Sequence, residues 1–139
     1  MSGSRPFLDT NILIYAVTDQ GWKSDIAKTV LVNGGVISVQ VLNEFAAVAK
    51  RKLGRSWREI DDVSAGFRKS GLQVVPLDVA THSDGLKLAA EAQLHIYDAC
   101  IVASASRAGC GLLLTEDLQD GRRFGDLVVR NPFAGAADG

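Results

Sequence analysis

Three consecutive polar residues, Asp9, Thr10 and Asn11, interrupt an apolar stretch that runs from Phe7 to Val17. The break predicts a short strand over 5–8 and a helix over 12–17, which places the Asp9 carboxylate at the carboxyl end of the strand. Open α/β sheets bind their ligands at such strand ends. A helix cap is the alternative, because all three side-chain types accept hydrogen bonds from a first helical turn.

The rest of the chain alternates between helix-like and strand-like segments. Helical periodicity predicts helices over 22–33, 40–53, 56–69, 79–93 and 97–108. Short apolar runs predict strands over 36–39, 73–78, 112–115 and 127–129, with a polar loop over 116–125. Strands that alternate with helices form a parallel sheet covered on both faces. We therefore expect a three-layer α/β/α fold around a central, mainly parallel sheet of four to five short strands.

The length of 139 residues suits one domain with a single core. We expect that domain to span 1–133 and to be followed by a disordered tail over 134–139. No apolar run reaches the length of a membrane span, so no membrane partner is expected. Residues 1–6 lack the features of a signal peptide, and the expected location is the cytoplasm.

Two cysteines agree with a reducing compartment. Cys100 and Cys110 would lie about 15 Å apart if both followed one helix. That separation is too long for a disulfide, so we expect two free, buried thiols.

Two further carboxylates lie on predicted helices. Glu44 is at the edge of an apolar stripe beside Phe45, where Glu is rarely buried without a partner. The alternative is an exposed side chain or a partner for Arg51. Asp98 opens its helix and is a candidate cap, but a helix N-terminus also favours the ionised form that a metal ligand needs.

A fourth carboxylate, Asp117, follows the predicted strand 112–115. Asp120, beside Gly121, reads as an ordinary turn residue and is the alternative fourth ligand. The Thr115 hydroxyl can support a neighbouring carboxylate or a bound water. Glu116 is expected to point the other way, toward solvent.

Several carboxylates at one sheet edge repel one another unless a cation joins them. An all-oxygen ligand set favours Mg²⁺, with Mn²⁺ also possible, over zinc. The formal net charge of −1 argues against a nucleic-acid partner. If a cation neutralised the four carboxylates, twelve acidic residues would remain against fifteen basic ones, which leaves an excess of three positive charges.

Four segments resemble one known family, the PIN-domain ribonucleases, and within it the VapC-type toxins of bacterial toxin-antitoxin pairs. They are Phe7-Leu8-Asp9-Thr10-Asn11-Ile12-Leu13, Asn43-Glu44-Phe45, Tyr97-Asp98-Ala99 and Leu114-Thr115-Glu116-Asp117. Their order and the chain length also fit, so the resemblance covers nearly the whole chain.

The resemblance implies a metal-dependent endoribonuclease that forms a homodimer and is held inactive by a cognate antitoxin. The family's acidic quartet would map to Asp9, Glu44, Asp98 and Asp117, with Asn11 and Thr115 in support. In this hypothesis the three aspartates hold one or two Mg²⁺ ions, and Glu44 orients or deprotonates the attacking water. The basic residues expected to contact RNA phosphates are Lys50, Arg51 and Arg55.

Two other classes of function stay open. A Mg²⁺-dependent phosphatase would carry a second Asp two residues after Asp9, where this chain has Asn11. A phosphotransfer receiver would need a late Lys, but the last lysine is Lys87. The second class is a non-catalytic PIN-like module that binds RNA or protein. Measured turnover would separate it from a nuclease.

Overall fold

A computed structural model that describes residues 5–135 contains six helices and one six-stranded sheet. The strands are β1 (Phe7–Leu8), β2 (Gly35–Ser38), β3 (Leu72–Val75), β4 (Leu112–Leu114), β5 (Arg123–Phe124) and β6 (Leu127–Arg130). The helices are α1 (Thr10–Ala16), α2 (Trp22–Val32), α3 (Val39–Arg51), α4 (Trp57–Lys69), α5 (Val79–Ala92) and α6 (Ile96–Arg107).

The strands lie in the order β3-β2-β1-β4-β6-β5, and every neighbouring pair except β5 and β6 is parallel. The chain moves outward from β1 to β3 and then returns to β4 on the other side of β1. Right-handed crossovers therefore put α1 to α4 on one face of the sheet and α5 and α6 on the other. The strand order reverses between β1 and β4, which makes their carboxyl ends a topological switch point.

The predicted α/β class and mainly parallel sheet are confirmed, but the predicted count of four to five strands is wrong. The sixth strand, β5, lies inside the segment predicted to be a polar loop. It pairs antiparallel with β6, and Gly125 makes the turn between them with a φ of 61°. Two residues, one of them an arginine, carry too little apolar pattern to predict a strand.

Side-chain caps set the residues at which α3 and α4 begin. Ser38 ends β2 and accepts a hydrogen bond from the Val41 N–H at 3.3 Å, so Val39 begins a helix instead of ending a strand. At α4, Ser56 and Glu59 form the capping box predicted by their spacing, with bonds of 2.9 and 3.1 Å.

The core is formed by β1, the central strands and the inner faces of the helices. Phe7, Leu8, Ile37 and Leu113 are among its fully buried side chains. Cys100 and Cys110 are buried and free, as predicted. Among residues 5–135, no helix combines the length and the apolar character needed to cross a membrane.

The described part of the chain ends in a segment that folds back onto the helices. Phe133 is buried and packs edge-on against Tyr15, with ring centroids 5.0 Å apart. Of the tail predicted over 134–139, residues 136–139 lie outside the described residues, as do residues 1–4.

Candidate metal centre

Asp9 lies directly after β1 at the switch point and is almost completely buried. Its Oδ1 accepts a hydrogen bond from the Thr10 N–H, and its Oδ2 accepts one from the Thr115 hydroxyl, both at 2.7 Å. Asp9 therefore caps α1, as the alternative interpretation proposed. Burial nevertheless raises its pKa from 3.8 to about 6, with smaller contributions from Asp117 and Glu44.

Glu44 is joined to the same cluster by two side chains from different helices. The Thr10 hydroxyl donates to its Oε2 at 3.1 Å, and Gln40 Nε2 donates to its Oε1 at 2.7 Å. Gln40 Nε2 also donates to the Tyr97 carbonyl at 3.0 Å, which connects α3 to the start of α6. These two donors, and not Arg51, hold the Glu44 carboxylate.

Asp117 follows β4 and joins the cluster from the other side of the switch point. Its Oδ2 accepts a hydrogen bond from Asn11 Nδ2 at 3.2 Å, and its N–H donates to the Thr115 hydroxyl oxygen at 3.1 Å. Burial raises the pKa of Asp117, and repulsion by Asp98 and Glu116 raises it further. Asn11 and Thr115 thus contact two of the four predicted carboxylates.

Asp98 lies in the first turn of α6 and is half-buried. The cap of this helix is His95, whose Nδ1 accepts a hydrogen bond from the Tyr97 N–H at 3.4 Å. Asp98 is therefore not the cap that the alternative interpretation proposed. Burial raises the pKa of Asp98, and the electrostatic effect of the nearby His95 side chain lowers it in part.

Electrostatic repulsion links the four carboxylates: Glu44 and Asp117 act on Asp9, and Asp98 acts on Asp117. Within residues 5–135, no three carboxylate, His or Cys side chains already stand at the spacing required to hold a metal ion.

The donor chemistry of the cluster fits a hard divalent cation. All the candidate ligand atoms on these side chains are oxygens, and burial raises the pKa of Asp9, Asp98 and Asp117, so their negative charge is unfavourable without a cation. Asn11 Oδ1 is also buried, and within the described residues it has no hydrogen-bond partner. A bound cation or its waters would satisfy that oxygen.

Comparison with known proteins identifies the family. The family model of the PIN domain matches residues 7–124, which is most of the chain. This chain belongs to the PIN domain family. The family resemblance noted in the sequence is thereby confirmed. No curated protein sequence matches the chain significantly.

Several solved structures share the fold of this PIN domain. A chain in a toxin-antitoxin complex from Klebsiella pneumoniae is 21% identical with a TM-score of 0.69, over 91% of this chain and 97% of that one. A chain of DNA-bound VapBC from Salmonella typhimurium is 20% identical with a TM-score of 0.68, over 93% of this chain and 98% of that one. VapC20 from Mycobacterium tuberculosis is described as a toxin that cleaves the sarcin-ricin loop. It is 16% identical with a TM-score of 0.66, over 77% of this chain and 85% of that one. Identities this low show a shared fold.

The alternative ligand Asp120 has a different role in this PIN domain. Its Oδ1 accepts a hydrogen bond from the Asn131 N–H at 2.9 Å, which holds the segment after β6. The Asn131 side chain in turn accepts a bond from the Phe133 N–H at 2.9 Å. The geometry therefore favours Asp117 as the fourth carboxylate of the cluster.

The three basic residues predicted to contact RNA lie at and beyond the end of α3. Lys50 Nζ is 5.2 Å from the centroid of the Trp57 ring, and Arg55 pairs with Glu59 at 3.7 Å. Arg51 is seven residues after Glu44, which on a helix means the same face and roughly 10 Å further along. Of the three, Arg51 is the one that shares a helical face with the cluster.

A second polar network, which the sequence pattern did not predict, lies beside the carboxylates. Glu116, predicted to face solvent, is largely covered; it accepts a hydrogen bond from the Tyr15 hydroxyl and one from Lys23 Nζ at 3.1 Å. The Lys23 ammonium also lies 4.9 Å from the Tyr15 ring centroid and 5.7 Å from that of Phe133. Through these contacts Glu116, the neighbour of Asp117, is connected to α1, α2 and the C-terminal segment.

Proposed function

We propose that this PIN domain is a metal-dependent endoribonuclease that hydrolyses RNA phosphodiester bonds, and that it is the toxin of a toxin-antitoxin pair. The observation that supports the proposal is the placement of Asp9 and Asp117 just after β1 and β4, with Glu44 bonded to Thr10 and Asp98 in the first turn of α6. Burial raises the pKa of Asp9, Asp98 and Asp117, so their negative charges destabilise the folded protein unless a cation is bound. A site that binds a cation explains them.

Asp9, Asp98 and Asp117 would hold one or two Mg²⁺ ions, for which Mn²⁺ is a suitable substitute. A divalent ion bound there supplies a water of lowered pKa and neutralises charge on the phosphate. The chain contributes by fixing its own groups. Thr10 and Thr115 hold the Asp9 carboxylate at both oxygens, and Asn11 holds Asp117.

Glu44 is suited to orient or deprotonate the attacking water. Each of its oxygens accepts one hydrogen bond, from Thr10 or Gln40, so each keeps a lone pair for the water. A base has to be held within hydrogen-bond reach of the proton that it removes, and two donors from different helices provide that restraint. This assignment requires no covalent intermediate on the protein.

RNA would reach the site across the surface beyond α3, where Lys50, Arg51 and Arg55 are exposed. Their charges would contact backbone phosphates, which gives affinity without sequence preference. Arg51 is the strongest candidate because of its position on the Glu44 face. The other two already have a partner each in Trp57 and Glu59.

The antitoxin assignment has two supports, and the second of them also supports a homodimer. Structures of similar fold are described as toxin-antitoxin complexes from Klebsiella pneumoniae and as DNA-bound VapBC from Salmonella typhimurium and Rickettsia felis. The chain also exposes large apolar side chains, which a protein partner would cover. They include Val39, Trp57, Val79 and Leu86. A cytoplasmic location agrees with such a toxin.

The proposal is tested by a single-turnover cleavage assay on a structured and an unstructured RNA. The conditions are Mg²⁺ and EDTA, and the protein is wild type or Asp98→Asn. We expect cleavage with Mg²⁺, no cleavage with EDTA, and a loss of at least about 100-fold in the variant, because the substitution removes a ligand charge from the transition state.

Intact RNA under every condition, from folded protein that binds Mg²⁺, would contradict the nuclease assignment. It would favour the non-catalytic module, or the phosphatase if a small phosphate ester were hydrolysed instead. Cleavage that is equal in EDTA and in Mg²⁺ would contradict the metal-dependent mechanism.

A further inference from the structure

Two aromatic rings stack at the start of α6, beside the carboxylate cluster. The centroids of His95 and Tyr97 are 5.4 Å apart and their planes differ by 26°. Tyr97 is 60% exposed although it is a large aromatic residue. The hydrogen bond from the Tyr97 N–H to His95 Nδ1 orients the imidazole, so the pair is held in place without being buried.

This aromatic pair is joined to the candidate metal centre by more than sequence adjacency. Gln40 Nε2 donates to both the Tyr97 carbonyl and Glu44 Oε1, so one nitrogen atom bridges the two groups. Tyr97 immediately precedes Asp98, and the His95 ring is close enough to Asp98 to act on its charge. The backbone that carries both rings is therefore held beside the carboxylate cluster, where a scissile phosphate would lie in the proposed nuclease.

We propose that the His95–Tyr97 pair is a stacking subsite for one nucleobase of the RNA, next to the phosphodiester that is cleaved. The subsite rests on the proposed nuclease function and adds to it a group that positions the substrate. Aromatic side chains bind splayed-out bases through their faces, and an exposed ring already stacked on one side offers its other face. Tyr97 is the ring that contacts the base, and His95 supports it.

The chemistry of stacking sets the expected size of the effect. Removing an aromatic ring that stacks on one base lowers affinity by roughly 5- to 150-fold. Because stacking does not depend on the hydroxyl, Tyr97→Phe keeps the affinity within about twofold. Loss of the supporting ring in His95→Ala lowers affinity less than Tyr97→Ala does.

The experiment measures the binding of a fluorescently labelled single-stranded RNA to the full chain in EDTA, by anisotropy, so that no cleavage occurs. Tyr97→Ala is compared with Tyr97→Phe and with Val32→Ala, which removes exposed apolar surface at the end of α2. A series of RNAs, each with one abasic position, is then bound to wild type and to Tyr97→Ala. Sedimentation of each variant reports its oligomeric state.

We expect one abasic position, beside the cleaved bond, to weaken wild-type binding at least fivefold and to leave Tyr97→Ala binding unchanged. Equal losses in both proteins at every position would overturn the subsite, as would a Tyr97→Ala defect that coincides with a changed oligomeric state. Absence of any RNA binding by the wild type would also overturn it. A position-specific effect in a protein that never cleaves RNA with Mg²⁺ would keep the subsite and refute the nuclease.

Discussion

Replacing Asp9 by Asn should stabilise the protein at neutral pH while it destroys the candidate site. In the unfolded chain the carboxyl has its ordinary pKa of 3.8, and in the folded protein burial raises it to about 6. This difference in pKa lowers the free energy of unfolding by about 3 kcal/mol once the carboxyl is ionised in both states. An asparagine is never charged, and its amide oxygen can still accept the capping bond from the Thr10 N–H.

The sign of the effect follows from proton binding. Well below pH 3.8 the Asp9 carboxyl is protonated in both states, so its ionisation costs the folded protein nothing. Between pH 4 and 6 the unfolded chain ionises first, and the folded wild type loses stability relative to it. Above pH 6 the full cost of about 3 kcal/mol applies, and Asp9→Asn escapes it.

The assay is urea unfolding in EDTA at intervals from pH 4 to pH 8, with Asp19→Asn as a control at an exposed aspartate. The stability advantage of Asp9→Asn should grow by about 2.5 kcal/mol between pH 4 and pH 8. At pH 8 it should reach about 3 kcal/mol, which raises the Tm by roughly 10 °C. The control should stay within about 0.5 kcal/mol of wild type. Adding Mg²⁺ should raise the Tm of wild type and of the Asp19→Asn control, but not that of Asp9→Asn. An advantage that is constant with pH, or an Asn variant less stable than wild type at pH 8, would refute the reasoning.

Three further predictions concern packing, the Glu116 network and RNA contact. A Cβ on Gly85 would lie 2.6 Å from Cys100 Sγ, so Gly85→Ala should lower the free energy of unfolding by about 1–3 kcal/mol. In a Cys100→Ala background the clash is gone, and the same substitution should raise the free energy of unfolding by up to about 1 kcal/mol. Urea unfolding of the wild type, both single variants and the double variant tests this. Lys23→Met should lower the free energy of unfolding by about 1 kcal/mol through its lost bonds to Glu116 and Tyr15; Lys28→Met, an exposed lysine on the same helix, is the control, and equal effects would contradict the prediction. Arg51→Gln should weaken RNA binding several-fold and make the slope of log affinity against log salt concentration shallower by about one unit. Anisotropy titrations at several salt concentrations test this, and a slope equal to that of wild type would contradict it.

Much of the fold could be predicted because local signals agree with the global arrangement. Asp9, Thr10 and Asn11 mark the end of β1 by interrupting an apolar run, and the capping box at Ser56 marks the start of α4. In a parallel sheet, the carboxyl ends of neighbouring strands meet at one edge. That rule alone brings Asp9 and Thr115 together, because β1 pairs with β4.

The contacts that complete the site depend on helix packing, which no local pattern encodes. Thr10 reaches Glu44 only because α1 packs against α3, and Gln40 reaches the Tyr97 carbonyl only because α3 lies against the start of α6. Glu116 was predicted to face solvent by continuing the alternation of β4, but that strand already ends at Leu114. Beyond the strand end the backbone turns, and the carboxylate meets Tyr15 and Lys23.

The central claim is that four carboxylates at this switch point form one divalent-cation site, and Mn²⁺ binding tests it most directly. We would titrate the full chain with Mn²⁺ and follow the free ion by electron paramagnetic resonance. The proteins are wild type, Asp98→Asn, Asp117→Asn and the control Asp120→Asn. The account predicts saturable binding by wild type and Asp120→Asn, weakened at least tenfold in the other two variants. Equal Mn²⁺ binding by all four proteins, or loss of binding in Asp120→Asn with retention in Asp117→Asn, would contradict it.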